Sequence, residues 1–209
     1  MGDKIAKVAA IVLAAGESKR MGQLKPLIRI GGRTFLQRIV HTLHWCGIHE
    51  IIIVLGHEAE KIEKASPCEA RFVINENFHD GQFSSLQTGF AALSHETDAV
   101  LVCLGDQPQI KTDWIKALIS SFNKTKAPIT IPVCQGLGGH PVIYSSQLFV
   151  EILRMPPSLT AKHLIRKYGH AIERVTIEDH GILLDADSPQ DLEKILPHPH
   201  FEFGENDES

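Results

Sequence analysis

Residues 11–25 read IVLAAGESKRMGQLK, and the rest of the chain is organised around this stretch. Its first part belongs to the apolar run Val8–Ala14, which is too short to span a membrane. A short apolar run that ends beside a glycine is typical of a buried strand in a parallel sheet. Polar residues and a second glycine follow at once. The stretch therefore predicts a strand that leads into a ligand-binding loop.

The loop after this strand has the chemistry that a polyphosphate requires. Gly16 and Gly22 have no Cβ, so the backbone N–H groups around them can approach a ligand closely. Arg20 and Lys25 are two cations five residues apart. Neither GxxxxGK[ST] nor GxGxxG is present, which excludes two common phosphate loops. The loop predicts a site for a nucleoside triphosphate, and the alternative is an ordinary glycine-containing turn with both cations in solvent.

Composition describes a soluble globular chain of 209 residues, with 43% hydrophobic residues, 22% charged residues and a net charge of −4. We expect one domain over residues 1–196 and a flexible acidic tail over residues 197–209. The negative charge argues against a nucleic-acid partner. The longest apolar runs are too short for a membrane helix, and the four cysteines are scattered. These features predict a cytoplasmic protein with free thiols.

Hydrophobic periodicity predicts alternating strands and helices. Strands are expected at residues 8–14, 51–55, 71–75 and 99–104, with further strands at 128–133, 142–144, 172–176 and 182–184. Helices are expected between them, including one capped by Thr34, one opened by Ser84 or Ser85, and a last one capped by Ser188. This order predicts an α/β fold with a Rossmann-like, mostly parallel sheet and helices on both faces. Ligands in such sheets bind beyond the carboxyl ends of the strands.

Acidic residues follow two of the predicted strands at that edge. Asp106 follows the buried run AVLVCL, and Mg²⁺ needs only one or two carboxylates besides phosphate oxygens and water. Asp185 and Asp187 end the run ILLDAD, and either one could complete a magnesium site, with Asp187 preferred. The alternatives are a turn aspartate before Pro108 and a helix start at residues 187–189.

With these motifs, most of the chain, to about Leu196, resembles the MobA-like nucleotidyltransferase family, and in particular its molybdenum cofactor cytidylyltransferase branch. LAAGESKRMGQLK resembles the signature LAAGxSxRMGxxK, and the similarity continues through KPLIRIGGRTFL, NENFHDGQFSSLQTGF, GDQPQI, GGHPVI and LLDADSPQDL. The resemblance implies a fold of the nucleotide-diphospho-sugar transferase type. It also implies that an acceptor phosphate attacks the α-phosphorus of a nucleoside triphosphate and that pyrophosphate leaves.

The resemblance also implies roles for individual residues. It makes Arg20, Lys25 and Asp106 catalytic, and it makes Asp106, with Asp185 or Asp187, the ligands of Mg²⁺. The acceptor is expected to lie near Gln107, His140 and Lys162. Nucleotide contacts are expected from Leu13, Ala14, Ala15, Gly16, Ser18, Arg20, Lys25, Asn75, Gly81, Ser84, Ser85 and Asp106.

The nucleotide and the acceptor follow from the resemblance alone. Ala15 stands where guanylyl-transferring relatives usually have glycine, and GDQP resembles the cytidylyl branch, so CTP is favoured over GTP and ATP. A phosphorylated pterin is the expected acceptor, with a molybdoenzyme or its chaperone as protein partner. Two segments depart from the branch: Gly138-Gly139 replaces an expected arginine, and residues 157–162 replace a GDxGAR-like segment. The alternatives are a sugar phosphate or methylerythritol phosphate as acceptor, or a non-catalytic accessory protein of molybdoenzyme maturation.

Overall fold

A mixed sheet of eight strands forms the framework of the protein in this computed structural model, which describes residues 5–18 and 21–195. Its strands are β1 (Val8–Ala14), β4 (Ile51–Leu55), β5 (Arg71–Ile74), β6 (Ala99–Leu104), β7 (Ile129–Cys134), β8 (Leu137–Gly138), β9 (Val142–Ser145) and β10 (Ile172–Thr176). A separate two-stranded sheet contains β2 (Arg29–Ile30) and β3 (Arg33–Thr34).

The strand order across the main sheet is β10-β7-β9-β6-β1-β4-β5, and β8 pairs with β7. β9 pairs antiparallel with both β6 and β7, and β8 is also antiparallel to β7. The other neighbouring strands pair in parallel. The prediction of a mostly parallel α/β sheet is therefore confirmed, and β9 is inserted in the opposite direction between two parallel groups of strands.

Helices cover both faces of this sheet. They are α1 (Phe35–Trp45), α2 (Ala59–Ala65), α3 (Gln82–Ala91), α4 (Thr112–Thr125), α5 (Phe149–Arg154), α6 (Ala161–Lys167) and α7 (Pro189–Ile195). One core contains buried residues of α1, α2 and α4, and a second contains buried residues of α3, α5 and α6. Because side chains alternate across a strand, Val12 joins the first core and Ile11 joins the second.

The predicted start of α1 is confirmed in detail. The Thr34 hydroxyl accepts a hydrogen bond from the Gln37 backbone N–H at 3.2 Å, and the Thr34 N–H donates to Gln37 Oε1 at 2.9 Å. This reciprocal pair is a capping box, which provides hydrogen-bond acceptors for two backbone N–H groups at the helix start. The entry of the chain into α1 is thus determined by residues that are adjacent in sequence.

Two predicted boundaries are wrong. α3 begins at Gln82 rather than at Ser84 or Ser85, because Gly81 stands at the N-cap with a φ of 100°, and both serines lie inside the helix. Residues 182–184 are not a strand, since a 3₁₀ helix spans His180–Leu183. The Asp179 carboxylate accepts from the Gly181 N–H at 2.9 Å and stabilises this tight turn instead.

Some predictions fall on residues that the structure does not describe. Arg20 lies outside the described residues, as do residue 196 and the predicted tail at residues 197–209. Within residues 5–18 and 21–195, none of the helices combines the length and the apolar character required to cross a bilayer.

Candidate functional site

Three charged side chains from distant parts of the chain meet at the carboxyl end of the sheet. Lys25 Nζ donates to Asp106 Oδ2 at 3.0 Å and also to the Asp187 carboxylate. Lys25 follows β1, Asp106 follows β6, and Asp187 lies two residues before the start of α7. We call Lys25, Asp106 and Asp187 the lysine–carboxylate cluster. The convergence of the first loop with a carboxylate from a later strand is therefore observed.

Close packing between β1 and the residue after β6 positions Asp106. The Gly105 N–H donates to Leu13 O at 2.8 Å. A Cβ added at Gly105 would lie 2.8 Å from Ala14 Cβ and 2.9 Å from Leu13 O. Only a residue without a side chain fits there without a shift of the backbone. The glycine thus lets the chain leave β6 against the end of β1, which brings Asp106 next to the first loop.

The loop that carries Lys25 is stabilised by Ser18. The Ser18 hydroxyl accepts from the Lys25 backbone N–H at 3.1 Å, and the Ser18 carbonyl accepts from the Met21 N–H at 3.0 Å. A 3₁₀ turn then spans Lys25–Leu27, and its middle residue, Pro26, is buried. Ser18 therefore shapes the loop from within, while Gly16 is exposed and has open space where a Cβ would be.

Asp185 and Asp187 have different neighbours, although the sequence leaves their roles open. The Asp187 carboxylate contacts Lys25, whereas Asp185 Oδ1 accepts from Gln107 Nε2 at 2.9 Å. Desolvation by surrounding protein raises the pKa of Asp185, and the nearby charge of Asp106 raises it further. The Ala186 N–H between the two aspartates donates to Asp106 O at 2.9 Å. Asp185 and Asp187 thus both lie near Asp106, but of these two it is Asp187 that accepts a hydrogen bond from Lys25.

The charges of the lysine–carboxylate cluster do not cancel. The side chains of Lys25, Asp106 and Asp187 are 13%, 25% and 30% exposed. Burial alone lowers the pKa of Lys25, but the hydrogen bond to Asp187 and the charge of Asp106 outweigh it and raise the pKa. One ammonium therefore stands between two carboxylates, which leaves an excess of negative charge at the edge of the sheet.

The carboxylates of Asp106 and Asp187 suit a hard divalent cation that takes most of its ligands from water and substrate phosphates. Among the described residues there is no group of three or more histidine, cysteine, aspartate or glutamate side chains that could hold a metal ion. Mg²⁺ commonly binds through one or two carboxylates and completes its shell with water and substrate phosphates. Asp106 and Asp187 fit that requirement, because each is partly open to solvent.

Three of the predicted nucleotide-binding residues, Asn75, Ser84 and Ser85, are bonded mainly to one another. Asn75 Nδ2 lies 2.9 Å from Ser84 Oγ and 3.0 Å from Ser85 Oγ, and Asn75 Oδ1 accepts from the Asn77 N–H at 3.0 Å. Asn75, Ser84 and Ser85 are buried. Their hydrogen bonds hold residues 75–85 in one conformation. Gly81 differs, since it is exposed and lines a cavity.

A cavity of about 140 Å³ lies between the start of α3 and residues 157–161. Its lining combines apolar and polar surface and consists of Leu13, Asp80, Gly81, Gln82, Phe83, Leu86, Val102, Leu104, His140, Tyr144, Pro157, Ser158, Leu159, Thr160 and Ala161. Burial lowers the pKa of His140, and the charge of Asp106 opposes that effect. Leu13 and Leu104 lie near the carboxyl ends of β1 and β6, so the cavity is at the same edge of the sheet as the lysine–carboxylate cluster, and its lining comes from both halves of the chain.

The three predicted acceptor residues have separate environments. His140 lines the cavity, whereas the buried Gln107 side chain is bonded to Asp185. Lys162 is exposed in the first turn of α6, next to the cavity-lining Ala161. Phe83 and Tyr144 also line the cavity but were not predicted, because apolar side chains that line a cavity have the same sequence pattern as core residues.

Comparisons with known proteins give consistent matches over most of the chain. A family model described as "MobA-like NTP transferase domain" matches residues 10–172. The nicotine blue oxidoreductase of Paenarthrobacter nicotinovorans is 27% identical over 207 residues, which cover 94% of this chain and 100% of that protein. The molybdenum cofactor cytidylyltransferase of Escherichia coli K12 is 26% identical over 188 residues, which cover 88% of this chain and 93% of that protein.

Solved structures show the same fold. Rv0371c from Mycobacterium tuberculosis H37Rv superposes with a TM-score of 0.82 at 24% identity, covering 92% of this chain and 98% of that one. A structure of Rv0371C in complex with manganese gives a TM-score of 0.76 at 22% identity, covering 91% of this chain and 98% of that one. At these identities the likeness establishes the fold.

Proposed function

The chain belongs to the MobA-like NTP transferase family, and from this premise we propose that it transfers CMP from CTP to a phosphorylated pterin, molybdopterin or the molybdenum cofactor. The family makes it a nucleotidyltransferase, while the nucleotide, the acceptor and the dependence on Mg²⁺ are part of the proposal. The observation that carries it is the Lys25 ammonium held between the carboxylates of Asp106 and Asp187.

Charge explains why this cluster suits nucleotidyl transfer. The triphosphate and the phosphorylated acceptor are both anions, so catalysis consists mainly of positioning and neutralisation. A triphosphate seated on residues 16–25 meets the Lys25 ammonium. Asp106 and Asp187 would hold Mg²⁺, which supplies neutralisation of phosphate oxygens when it is bound. Both signs of charge that the reaction needs are therefore contributed by one edge of the sheet.

The reaction follows from this arrangement. An oxygen of the acceptor phosphate attacks the α-phosphorus, the bond between that phosphorus and the bridging oxygen breaks, and pyrophosphate leaves with the bond electrons. Lys25 donates hydrogen bonds to phosphate oxygens whose negative charge grows in the transition state. Arg20 would add a second cation from the same loop. Removal of one such donor typically costs about 3–4 kcal/mol, or roughly 100- to 1,000-fold in rate.

Two features support the choice of substrates. The similarity to a cytidylyltransferase over 88% of this chain and the alanine at position 15 favour CTP. The cavity lined by Leu13, Phe83 and Tyr144 favours an acceptor with a flat, partly apolar ring over a polyol, which needs many polar partners. We place the reaction in the cytoplasm, where the free thiols of Cys103 and Cys134 stay reduced. A molybdoenzyme or its chaperone would receive the product.

Pyrophosphate release tests the proposal directly. CTP, GTP and ATP are each combined with molybdopterin, a sugar phosphate and methylerythritol phosphate, in the presence of Mg²⁺ or of EDTA. We expect release to be fastest with CTP, molybdopterin and Mg²⁺ and to stop with EDTA. Release with only a sugar phosphate or methylerythritol phosphate would show that this compound, and not the pterin, is the acceptor. No release with any pair, together with tight pterin binding, would indicate the accessory role.

Single variants locate the chemistry. Lys25→Ala and Asp106→Ala should each lose about 100- to 1,000-fold in turnover while their circular dichroism spectra stay unchanged. Asp113→Ala is the matched control, because Asp113 is an exposed aspartate in the first turn of α4, away from the cluster. Wild-type turnover in either of the first two variants would refute the assignment. One relative named as an oxidoreductase matches 94% of this chain, and pyrophosphate release is the readout that separates nucleotidyl transfer from such chemistry.

A further inference from the structure

The segment that carries Asp187 is tied to the loop after β6 along its whole length. We call residues 179–187 the strap. Side chains or backbone groups of residues 106–111 contact it at several points: Asp106 O accepts from the Ala186 N–H, Gln107 donates to Asp185, Gln109 donates to Gly181 O and Leu184 O, and Lys111 donates to Asp179 at 2.6 Å. The His140 N–H adds one further contact, to Ile182 O at 3.0 Å, so Asp187 is positioned through a segment that is held mainly by residues 106–111.

Gln109 makes the most central of these contacts. Its Nε2 donates to Gly181 O at 2.9 Å and to Leu184 O at 2.6 Å, so one amide group holds two carbonyls three residues apart. The side chain is 4% exposed. Leu184 is three residues before Asp187, so the second hydrogen bond holds the backbone just upstream of the cluster.

Stability alone is a poor explanation for an amide at this position. Among the described residues, Gln109 Oε1 is buried without a hydrogen-bond partner. A buried polar atom in that state is unfavourable, and the two hydrogen bonds that Nε2 donates must offset its cost. Gly181 O also accepts from the Leu184 N–H at 3.3 Å, so this carbonyl has a second partner. What the amide adds is a restraint on the middle of the strap, between the contacts at Asp179 and at Asp185.

We propose that Gln109 is a positioning residue that holds the strap so that the Asp187 carboxylate faces Asp106. This inference rests on the proposed function, in which those two carboxylates hold a divalent cation. Partners that orient metal ligands through hydrogen bonds typically change metal affinity by about 10- to 100-fold when they are removed. Gln109 acts through the backbone at Leu184 and touches neither substrate nor metal.

Mn²⁺ binding to the full chain measures this role without turnover. The electron paramagnetic resonance signal of free Mn²⁺ is followed during titration of the wild type, Gln109→Met and Asp187→Asn. Gln109→Met removes both donors and keeps a flexible side chain of similar length. We expect its dissociation constant for Mn²⁺ to rise by about 10-fold or more. If this variant does not fold, Gln109→Asn keeps the amide but is too short to reach both carbonyls.

Gln87 provides a matched control in the same chain. Its Nε2 also donates to two backbone carbonyls of a distant segment, Ile152 O at 2.8 Å and Met155 O at 2.7 Å. That segment is the end of α5, away from the strap. Gln87→Met should therefore lower the melting temperature like Gln109→Met but leave Mn²⁺ affinity unchanged. An equal loss of Mn²⁺ affinity in both variants would mean general loosening and would overturn the proposal.

A double-mutant cycle separates positioning from a purely structural effect. If Gln109 acts through Asp187, Gln109→Met should change Mn²⁺ affinity little once Asp187→Asn is present. Unchanged Mn²⁺ affinity in Asp187→Asn alone would refute the metal assignment in the proposed function, and the role of Gln109 with it. A loss in Asp187→Asn with wild-type affinity in Gln109→Met would overturn the role of Gln109 alone.

Discussion

Replacement of Lys25 by methionine should strengthen metal binding by the free enzyme while it lowers turnover about 100- to 1,000-fold. The Lys25 ammonium contacts Asp106 at 3.0 Å and also contacts Asp187, so it occupies the space between the carboxylates that would hold the cation. A divalent cation that binds without nucleotide must compete with it. Methionine fills a similar volume and brings no charge, so the two carboxylates are left free for the metal.

The magnitude follows from how exposed the ion pairs are. Fully exposed pairs contribute about 0–1 kcal/mol, and loss of one partner from a buried pair costs about 3–5 kcal/mol. Lys25 is 13% exposed and its partners are 25% and 30% exposed, which places the cluster between these limits. We therefore assign about 1–3 kcal/mol to the interaction of Lys25 with the two carboxylates. Loss of that interaction corresponds to Mn²⁺ binding about 5- to 150-fold tighter in Lys25→Met.

The same free energy predicts a thermal effect. Without metal, Lys25→Met should unfold roughly 2–12 °C below the wild type, because two uncompensated carboxylates repel each other. Saturating Mn²⁺ should restore most of that loss. Lys167→Met is the control, since Lys167 forms a more exposed pair with Glu151 at 2.8 Å and should shift neither melting temperature nor Mn²⁺ affinity appreciably.

The measurement is a Mn²⁺ titration followed by paramagnetic resonance, with calorimetry of the same samples with and without metal. If Lys25→Met binds Mn²⁺ no tighter than the wild type and has the same melting temperature, the ammonium does not separate the two carboxylates. That result would remove the physical basis of the proposed site.

Two further predictions concern the packing that positions Asp106 and the pH dependence of folding stability. Gly105→Ala should lower the free energy of unfolding by about 1–3 kcal/mol in urea denaturation, because the new Cβ would lie 2.8 Å from Ala14 Cβ. Gly16→Ala is the control, since open space surrounds that position and the free energy of unfolding should stay nearly unchanged. Desolvation opposes the hydrogen bonds that Ser94 donates to Glu50, yet the net pKa of Glu50 is lowered. Its contribution to stability is therefore present above the pKa of an unfolded glutamate and is lost as the pH falls through the lowered pKa, so Glu50→Gln should flatten the acid side of a stability profile; an unchanged slope would contradict this.

Local patterns were sufficient for most of the framework. Val8–Ala14 is recognisable as a strand because an uninterrupted apolar run suits a strand that is buried on both faces. Thr34 and Gln37 are recognisable as a helix start because capping involves residues three apart. The loop with Lys25 and the carboxylate at Asp106 were predicted to converge because parallel strands end at one edge of a sheet.

The sequence by itself thus determined the order of strands and helices, the first loop and the carboxylate after β6, since these depend on neighbouring residues. Only the tertiary structure decided that Asp187 contacts Lys25 while Asp185 contacts Gln107, and that β9 enters the sheet antiparallel. It also decided that residues 182–184 turn tightly under Gln109 instead of extending as a strand. Lys25 and Asp187 are 162 residues apart, and a contact of that separation depends on how the whole chain packs. No local periodicity or turn chemistry contains that information.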